Sequence, residues 1–162
     1  MATFLRVLWL PVAVAVLILG WLWLDAEIGW RGICLPRMGA LMIVAGGLLS
    51  SWCAAIFLFV GKGSPHPFAM KTKRLVTTGP YGLVRNPMMW GIGTLLIGLA
   101  LALGSVGLWF GLACFVLFVR WFVPCYEEPD MERRFGEEYR EYCRRTPRWW
   151  PVLIRPSSAT RK

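Results

Sequence analysis

Long apolar runs dominate the pattern of this chain, and charged positions fall between them. Residues 7–24, 38–61 and 86–119 contain no charged residue. A helix that spans a bilayer needs about 20 apolar residues, so each of the first two runs predicts one span. The third run is too long for one span and predicts two short ones, near 87–103 and 106–125, with Gly104-Ser105 as the break. The pattern therefore predicts an all-α integral membrane protein with about four transmembrane helices.

Composition agrees with a membrane protein and indicates one domain. The 162 residues are 57% hydrophobic and only 17% charged, which is too apolar for a soluble domain of this size. We expect a single domain over 1–162, with two N-terminal spans in 1–60, the polar chemistry in 61–151 and a tail at 152–162. The first run is predicted to be a retained helix, because no convincing small-residue cleavage site follows it. Gly46-Gly47 and the pair Gly107 and Gly111 indicate close helix contacts.

The net charge of +9 indicates orientation and a partner. Basic residues concentrate in the loop 61–87 and in the segment after 126, so both are expected on the cytoplasmic side of the inner or plasma membrane. Anionic lipid headgroups are an expected partner of this charge. Nucleic acid is not expected, because no nucleic-acid-binding motif accompanies the charge. The five cysteines show no metal-ligand spacing, so no metal site is predicted, and the oligomeric state stays open.

An amphipathic helix is predicted after the last apolar run. Pro129 suits a first helical turn, and acidic residues surround it at the positive end of the helix dipole. Four side chains fall on one face at spacings typical of a helix, namely Met131, Phe135, Tyr139 and Tyr142. This helix is expected either to lie on the membrane or to dock on the loop. Trp149 and Trp150 are interpreted as interfacial anchors.

Two short motifs hold the candidate chemistry. In Arg85-Asn86-Pro87, Asn86 suits an N-cap and Pro87 the first helical position. In Glu127-Glu128, the acids either complement a helix dipole or face a cavity and a partner. That partner could be Arg85, Lys73, Arg74 or a cationic ligand.

The stretches "LVTTGPYGLVRNPMMWG" and "YEEPDMERRFGEEYREYCRRTPRWWP", separated by a hydrophobic hairpin, resemble a family of membrane methyltransferases. That family includes isoprenylcysteine carboxyl methyltransferase and the phosphatidylethanolamine N-methyltransferases, and the resemblance covers about residues 60–151. It implies S-adenosylmethionine as methyl donor, leaving S-adenosylhomocysteine. It also implies a cytosolic pocket formed by the loop and the C-terminal helix, and a lipid substrate that enters from the bilayer.

The resemblance also implies roles for single residues. Glu127 carries over as a substrate-side residue, with Glu128 beside it and Arg85 as a further catalytic candidate. The implied cofactor contacts are His66, Lys73, Arg74, Leu75, Val76, Tyr81, Asn86, Pro87, Met88 and Met89. The lone His66 is, from the residues alone, more typical of a structural role than of catalysis.

Two departures from the isoprenylcysteine branch bear on the substrate. Asn86 stands where that branch has a histidine, and Val123 stands where it has an arginine. A phospholipid amine or similar small lipid is therefore favoured over a prenylcysteine carboxylate, which remains the alternative. Two other classes also remain, namely a non-enzymatic membrane subunit that binds headgroups or a partner, and a nicotinamide-dependent reductase. The reductase ranks lower because the chain lacks a Gly-rich phosphate-binding fingerprint.

Overall fold

The computed structural model describes residues 16–62 and 72–151. Within these ranges the chain is all-helical and contains no strand. Helix α1 covers residues 16–28. It is followed by α2 (Pro36–Phe59), α3 (Pro87–Leu103), α4 (Val106–Phe122), α5 (Glu128–Phe135) and α6 (Glu137–Arg145). A 3-10 turn at Gly79–Gly82 precedes α3, and a π-helical turn at Val123–Glu127 joins α4 to α5.

Helices α2 and α3 form the most extensive helix pair, and glycines allow it. A Cβ atom added to Gly46 would lie 2.6 Å from the carbonyl oxygen of Gly91. One added to Gly98 would lie 2.7 Å from the amide nitrogen of Ile43. The two backbones are thus in direct contact, as small residues permit in membrane proteins. Of the predicted pair Gly46-Gly47, only Gly46 makes this contact, because Gly47 faces open space.

The turn between α3 and α4 lies where the sequence predicts it. Gly104 has a φ of +60°, the left-handed conformation that favours glycine at a helix C-terminus. Ser105 then caps α4, since its Oγ accepts a hydrogen bond from the amide of Leu108 at 3.0 Å. Asp25, at the end of α1, accepts a bond from Ser105 Oγ and one from the Gly107 amide at 3.0 Å. These bonds fix α1 against the start of α4.

Two of the described helices are long and apolar enough to cross a membrane, namely Pro36–Phe59 and the continuous stretch Val106–Phe135. Helix α3 is apolar but has 17 residues, and the predicted first span lies partly outside the described residues. Because Val106–Phe135 has 30 residues, it is about 45 Å long and exceeds a hydrocarbon core of about 30 Å. The stretch is therefore longer than a crossing requires, and its densely charged part begins at Glu127.

The π-helical turn has a clear origin in the sequence. Pro124 has no N–H, so it cannot donate the α-helical hydrogen bond to the carbonyl of Arg120. The chain responds with a wider turn over Val123–Glu127 and then resumes as α5. The predicted helix near 106–125 therefore corresponds to α4 and the first part of this turn, and the helical path continues through α5 to Phe135.

The predicted amphipathic helix is two short helices rather than one. Gly136, at φ +56°, separates α5 from α6. The predicted apolar face nevertheless stays together, since Tyr139 and Tyr142 form a buried cluster with Leu75, against which Met131 and Phe135 pack. Of the two arrangements left open, the structure shows docking on the loop.

Candidate functional site

A cavity of about 70 Å³ lies where the start of α3 meets the loop and helix α5. We call it the inner cavity. The Gly79–Gly82 turn supplies Tyr81 to the cavity, the first turn of α3 supplies Met88 and Met89, and the π-helical turn supplies Glu127. Its lining consists of Phe57, Val76, Tyr81, Arg85, Asn86, Met88, Met89, Glu127, Glu128, Met131, Tyr139 and Tyr142.

Three buried polar atoms of lining residues have no hydrogen-bond partner among the described residues, namely Tyr81 Oη, Arg85 Nε and Glu127 Oε2. Tyr81 is only 5% exposed. A polar neighbour of its hydroxyl is the thiol of Cys53, a weak hydrogen-bonding group. Buried polar groups are normally paired, so unpaired ones that line one cavity indicate a place for a ligand. All three atoms are suited to a polar ligand that enters the cavity.

The environment of Glu127 favours its neutral form. Burial raises the pKa of Glu127 from 4.5 to about 7, and the negative charge of Glu128 adds to the effect. A carboxyl group with a pKa near neutrality can both accept and release a proton at physiological pH. Burial likewise raises the pKa of Tyr81, so its hydroxyl stays protonated and can donate a hydrogen bond.

Glu128, in contrast, is held by two arginines. Arg148 binds it through two parallel hydrogen bonds, with Nε 2.8 Å from Oε1 and Nη2 2.6 Å from Oε2. These hydrogen bonds are the main reason why the pKa of Arg148 is raised. Arg85 adds an ion pair at 3.2 Å, and it also donates to the Cys143 sulfur. The Nε of Arg85 is buried and has no partner among the described residues.

The last described residues, 146–151, lie across the start of α3, and we call them the C-terminal strap. The backbone amide of Arg85 donates to the carbonyl of Pro147 at 2.9 Å. Trp90 Nε1 donates to the carbonyl of Trp149 at 3.0 Å, and its ring lies 5.1 Å from that of Trp150. The strap is therefore part of the site, in addition to any role of its tryptophans at the membrane interface.

Asn86 precedes α3, but its side chain does not cap the helix. Its Nδ2 instead donates to the carbonyl of Arg148 at 3.4 Å. The predicted N-cap position is correct, whereas the predicted side-chain bond is replaced by this contact. The first amide groups of α3 consequently receive no bond from Asn86, and a helix start of this kind attracts negative charge.

Aromatic and apolar groups form the opposite wall. The rings of Phe57 and Tyr81 meet edge to face, with centroids 5.1 Å apart. Tyr142 Oη donates to the carbonyl of Tyr81 at 2.7 Å, which ties α6 to the turn. Met88 packs against the same cluster of Cys53, Val76 and Tyr81. The wall is thus apolar except for the Tyr81 hydroxyl and its thiol neighbour.

The structure brings most of the predicted site residues together. Eight of them line the inner cavity: Val76, Tyr81, Arg85, Asn86, Met88, Met89, Glu127 and Glu128. Pro87 is buried at the start of α3, and Leu75 packs against Tyr139 and Tyr142 rather than on the cavity. Lys73 and Arg74 are exposed and do not line it, so the expected pairing of Glu127-Glu128 with a cation involves Arg85 instead. His66 lies outside the described residues.

Several residues of the site were not predicted, above all Arg148, Tyr142 and Phe57. The tryptophans of "TPRWWP" indicated an interfacial anchor. No neighbouring residue in the sequence indicates that Arg148 binds Glu128. Tyr142 was placed on the correct helix face, which could have indicated that it reaches the loop. Phe57 is one of many apolar residues in α2, and no sequence signal distinguishes it.

A larger groove adjoins the inner cavity. It encloses about 490 Å³ and is open to solvent, and we call it the outer groove. Its lining shares Arg85, Glu128 and Tyr139 with the inner cavity and adds residues of α5 and α6. The ion pair between Arg85 and Glu128 therefore lies between the two spaces.

Comparison with known proteins identifies the class. Residues 35–138 match the profile of the phospholipid methyltransferase family, and the chain belongs to that family. Family membership indicates a methyltransferase that acts on lipid-like substrates and, with the two long apolar helices, association with a membrane. A stretch of 55 residues is also 36% identical to an uncharacterized protein of Haemophilus influenzae, which covers 34% of this chain and 87% of that relative.

Proposed function

We propose that this protein is an integral membrane methyltransferase that transfers a methyl group from S-adenosylmethionine to the amine of a phospholipid or a similar small lipid. The observation that carries the proposal is a set of three unpartnered polar atoms, Tyr81 Oη, Arg85 Nε and Glu127 Oε2, on residues that line one cavity at the start of α3. Family membership supports the reaction class.

The residues around the inner cavity match the chemistry of S-adenosylmethionine. Glu127 can attract its amine and sulfonium cation, since both bear positive charge. Its carboxylate suits the unbonded amides at the start of α3 and the buried, unpartnered Nε of Arg85. Its adenine suits the apolar wall of Val76, Tyr81 and Met88.

The volumes of the inner cavity and the outer groove bear on where a cofactor could be held. The inner cavity, at about 70 Å³, is smaller than the roughly 300–1,000 Å³ of pockets that hold drug-sized ligands. The outer groove, at about 490 Å³, is within that range. We infer that residues of both spaces would hold the cofactor, since the two spaces share Arg85, Glu128 and Tyr139 in their linings.

Methyl transfer requires the protein to position the two reactants and to accept one proton from the nitrogen. When bound, S-adenosylmethionine supplies a methyl group whose bond to sulfur breaks as the lone pair of the acceptor nitrogen bonds to the carbon. Glu127 accepts the proton that the nitrogen loses, and its pKa of about 7 suits this role at neutral pH. The Tyr81 hydroxyl holds the acceptor by a hydrogen bond. The surrounding apolar wall excludes water and fixes the approach.

The proposal places this site at a membrane surface. α1, α2, α3 and α4 would supply four spans, with the loop 61–87 and the C-terminal helices in the cytoplasm. The lipid would then enter from the bilayer, and its amine would reach the inner cavity. Basic residues of the tail would rest on anionic headgroups.

The decisive experiment is transfer of radiolabelled methyl from S-adenosylmethionine into a total membrane lipid extract by the detergent-purified protein. We expect labelled lipid, and a rate lower by about 10²–10⁴-fold in Glu127→Gln. Glu138→Gln is the matched control, because Glu138 is exposed and does not line the cavity. Absence of labelled lipid, together with no binding of S-adenosylhomocysteine by calorimetry, would refute the proposal. Release of labelled methanol in mild base would identify an ester product, and so the prenylcysteine alternative.

A further inference from the structure

Three cations meet at the C-terminal end of α2, namely Lys62, Lys73 and Arg74. The carbonyl of Gly61 accepts hydrogen bonds from the amide of Lys73 at 2.8 Å and from that of Arg74 at 3.3 Å. These bonds bring residues from both sides of the 63–71 segment to one place. All three side chains are exposed. We call them the cationic turn.

The charge of the cationic turn is not neutralised within the described residues. No Asp or Glu occurs anywhere between residues 28 and 126. The acids that follow are largely committed to other arginines: Glu128 to Arg85 and Arg148, Asp130 to Arg134, Glu132 and Glu137 to Arg140, and Glu141 to Arg145. Across residues 16–62 and 72–151, no ion pair joins the cationic turn to a carboxylate. The turn therefore presents uncompensated positive charge.

The backbone that carries these cations is built tightly. Lys62 has a φ of +50°, a conformation that side-chain-bearing residues rarely adopt and that clusters at binding sites. A Cβ atom on Gly61 would lie 2.9 Å from both the Phe57 carbonyl and the Thr72 methyl group. The guanidinium of Arg134 also donates to the carbonyl of Thr72, which ties α5 to the turn. The cations are thus held in place at their backbone.

The cationic turn is adjacent to the inner cavity but outside it. The Cγ2 of Val76 lies 3.0 Å from the Cβ position of Gly61, and Val76 and Phe57 both line the cavity. None of the three cations lines it. In a phospholipid the phosphate and the headgroup amine are separated by only a few bonds. A lipid with its amine in the cavity would therefore carry its phosphate just outside.

We propose that Lys62, Lys73 and Arg74 bind the phosphodiester of the phospholipid that this enzyme methylates. Phosphate oxygens form strong charge-assisted hydrogen bonds with lysine and arginine. The inference rests on the proposed function, and it names the phosphate as the group that positions the lipid substrate. It also gives a role to Lys73 and Arg74. Both side chains are exposed and outside the inner cavity, which favours binding of the lipid phosphate over contact with the cofactor.

The test measures lipid binding without requiring turnover. The probe is dihexanoyl phosphatidylethanolamine, titrated onto the detergent-purified full chain and followed by intrinsic tryptophan fluorescence. One cation near an anionic group contributes about fivefold, so Lys62→Gln should weaken binding about fivefold and Lys62→Gln/Lys73→Gln about 25-fold. The matched control is Arg31→Gln/Arg37→Gln, which removes two exposed cations near the N-terminal end of α2, opposite the cationic turn, and should leave the affinity unchanged.

Two further ligands separate the possible sources of the effect. Dihexanoylglycerol, which lacks the phosphate, should bind equally to the wild type and the double variant. Inorganic phosphate should compete only weakly, because it lacks the acyl chains and the amine. If the double variant binds the phospholipid as the wild type does, or if inorganic phosphate binds as tightly as the lipid, the proposal is wrong.

Failure of this proposal and failure of the proposed function can be told apart. If the variants lose lipid affinity but no lipid is ever methylated, the phosphate site stands and the enzymatic function falls. If methyl transfer proceeds and the KM for lipid is the same in the double variant, the function stands and the phosphate site falls. If the variants weaken S-adenosylhomocysteine binding by the same factor as lipid binding, the cations serve the cofactor and this assignment is overturned.

Discussion

Replacing Glu127 by glutamine should stabilise the protein at high pH and inactivate it. Burial and the charge of Glu128 raise the pKa of Glu127 from 4.5 to about 7. The folded protein therefore keeps a proton that the unfolded chain releases. As pH rises from 4.5 to 7, the free energy of unfolding falls by 1.36 kcal/mol for each pH unit, or about 3 kcal/mol in all. Below 4.5 both states are protonated, so this cost is absent there.

The comparison with Glu127→Gln addresses this one group, because the substitution keeps the shape of the side chain and leaves every other carboxylate of the chain in place. In a protein of this size, about 3 kcal/mol corresponds to a Tm difference on the order of 10 °C. We expect Glu127→Gln to unfold at a higher temperature than the wild type at about pH 9, and at the same temperature at about pH 4. Thermal unfolding in detergent, followed by tryptophan fluorescence, measures both. A Tm difference that does not change with pH would refute the argument that burial raises the pKa of Glu127.

The same residue predicts how activity depends on pH. A base with a pKa of about 7 is deprotonated above that pH, so kcat should rise with pH and level off above about 8. The residual activity of Glu127→Gln should lack this rise, and a single-turnover assay across pH tests it.

Other substitutions test the helix contacts and the strap. Gly98→Ala places a methyl group against the α2 backbone and should lower stability by about 1–3 kcal/mol, whereas Gly47→Ala meets open space and should not; thermal unfolding of the pair decides. Asp25→Ala removes the acceptor at the start of α4 and should cost about 0.5–2 kcal/mol in the same assay. Arg148→Gln breaks both bonds to Glu128 and should loosen the strap, so that amide exchange in the peptide around residue 85 accelerates. Unchanged exchange would show that the backbone bonds alone hold the strap.

The sequence predicted best those helix ends that are marked by residues with restricted or special backbone conformations. Asn86-Pro87 marks the start of α3, and Gly104-Ser105 marks the turn after it, because each dipeptide restricts the backbone at its own position. The face containing Tyr139 and Tyr142 was predicted for the same reason, since helical spacing is a local pattern. The break at Gly136 was missed, because an isolated glycine is tolerated within many helices.

The parts of the site that sequence did not reveal depend on distant pairings. Arg148 binds a carboxylate 20 residues earlier, and the strap contacts residues about 60 positions away. Neither pairing leaves a periodic signal, because both arise only once the helices are packed. The family resemblance supplied the identity of the cavity residues. It could not supply the geometry that leaves Lys73 and Arg74 outside.

The π-helical turn at Val123–Glu127 has a consequence for how such a site can change in evolution. Compared with an α-helical path, the wider turn amounts to one inserted residue, and one residue corresponds to about 100° of rotation around the helix axis. Without it, Glu127 and Glu128 would face a different direction relative to α4, although every residue of the motif would still be present. A single-residue deletion in this turn would thus dismantle the site while leaving its sequence signature almost intact. A search for the sequence motif alone would still identify such a protein, although its site would be lost.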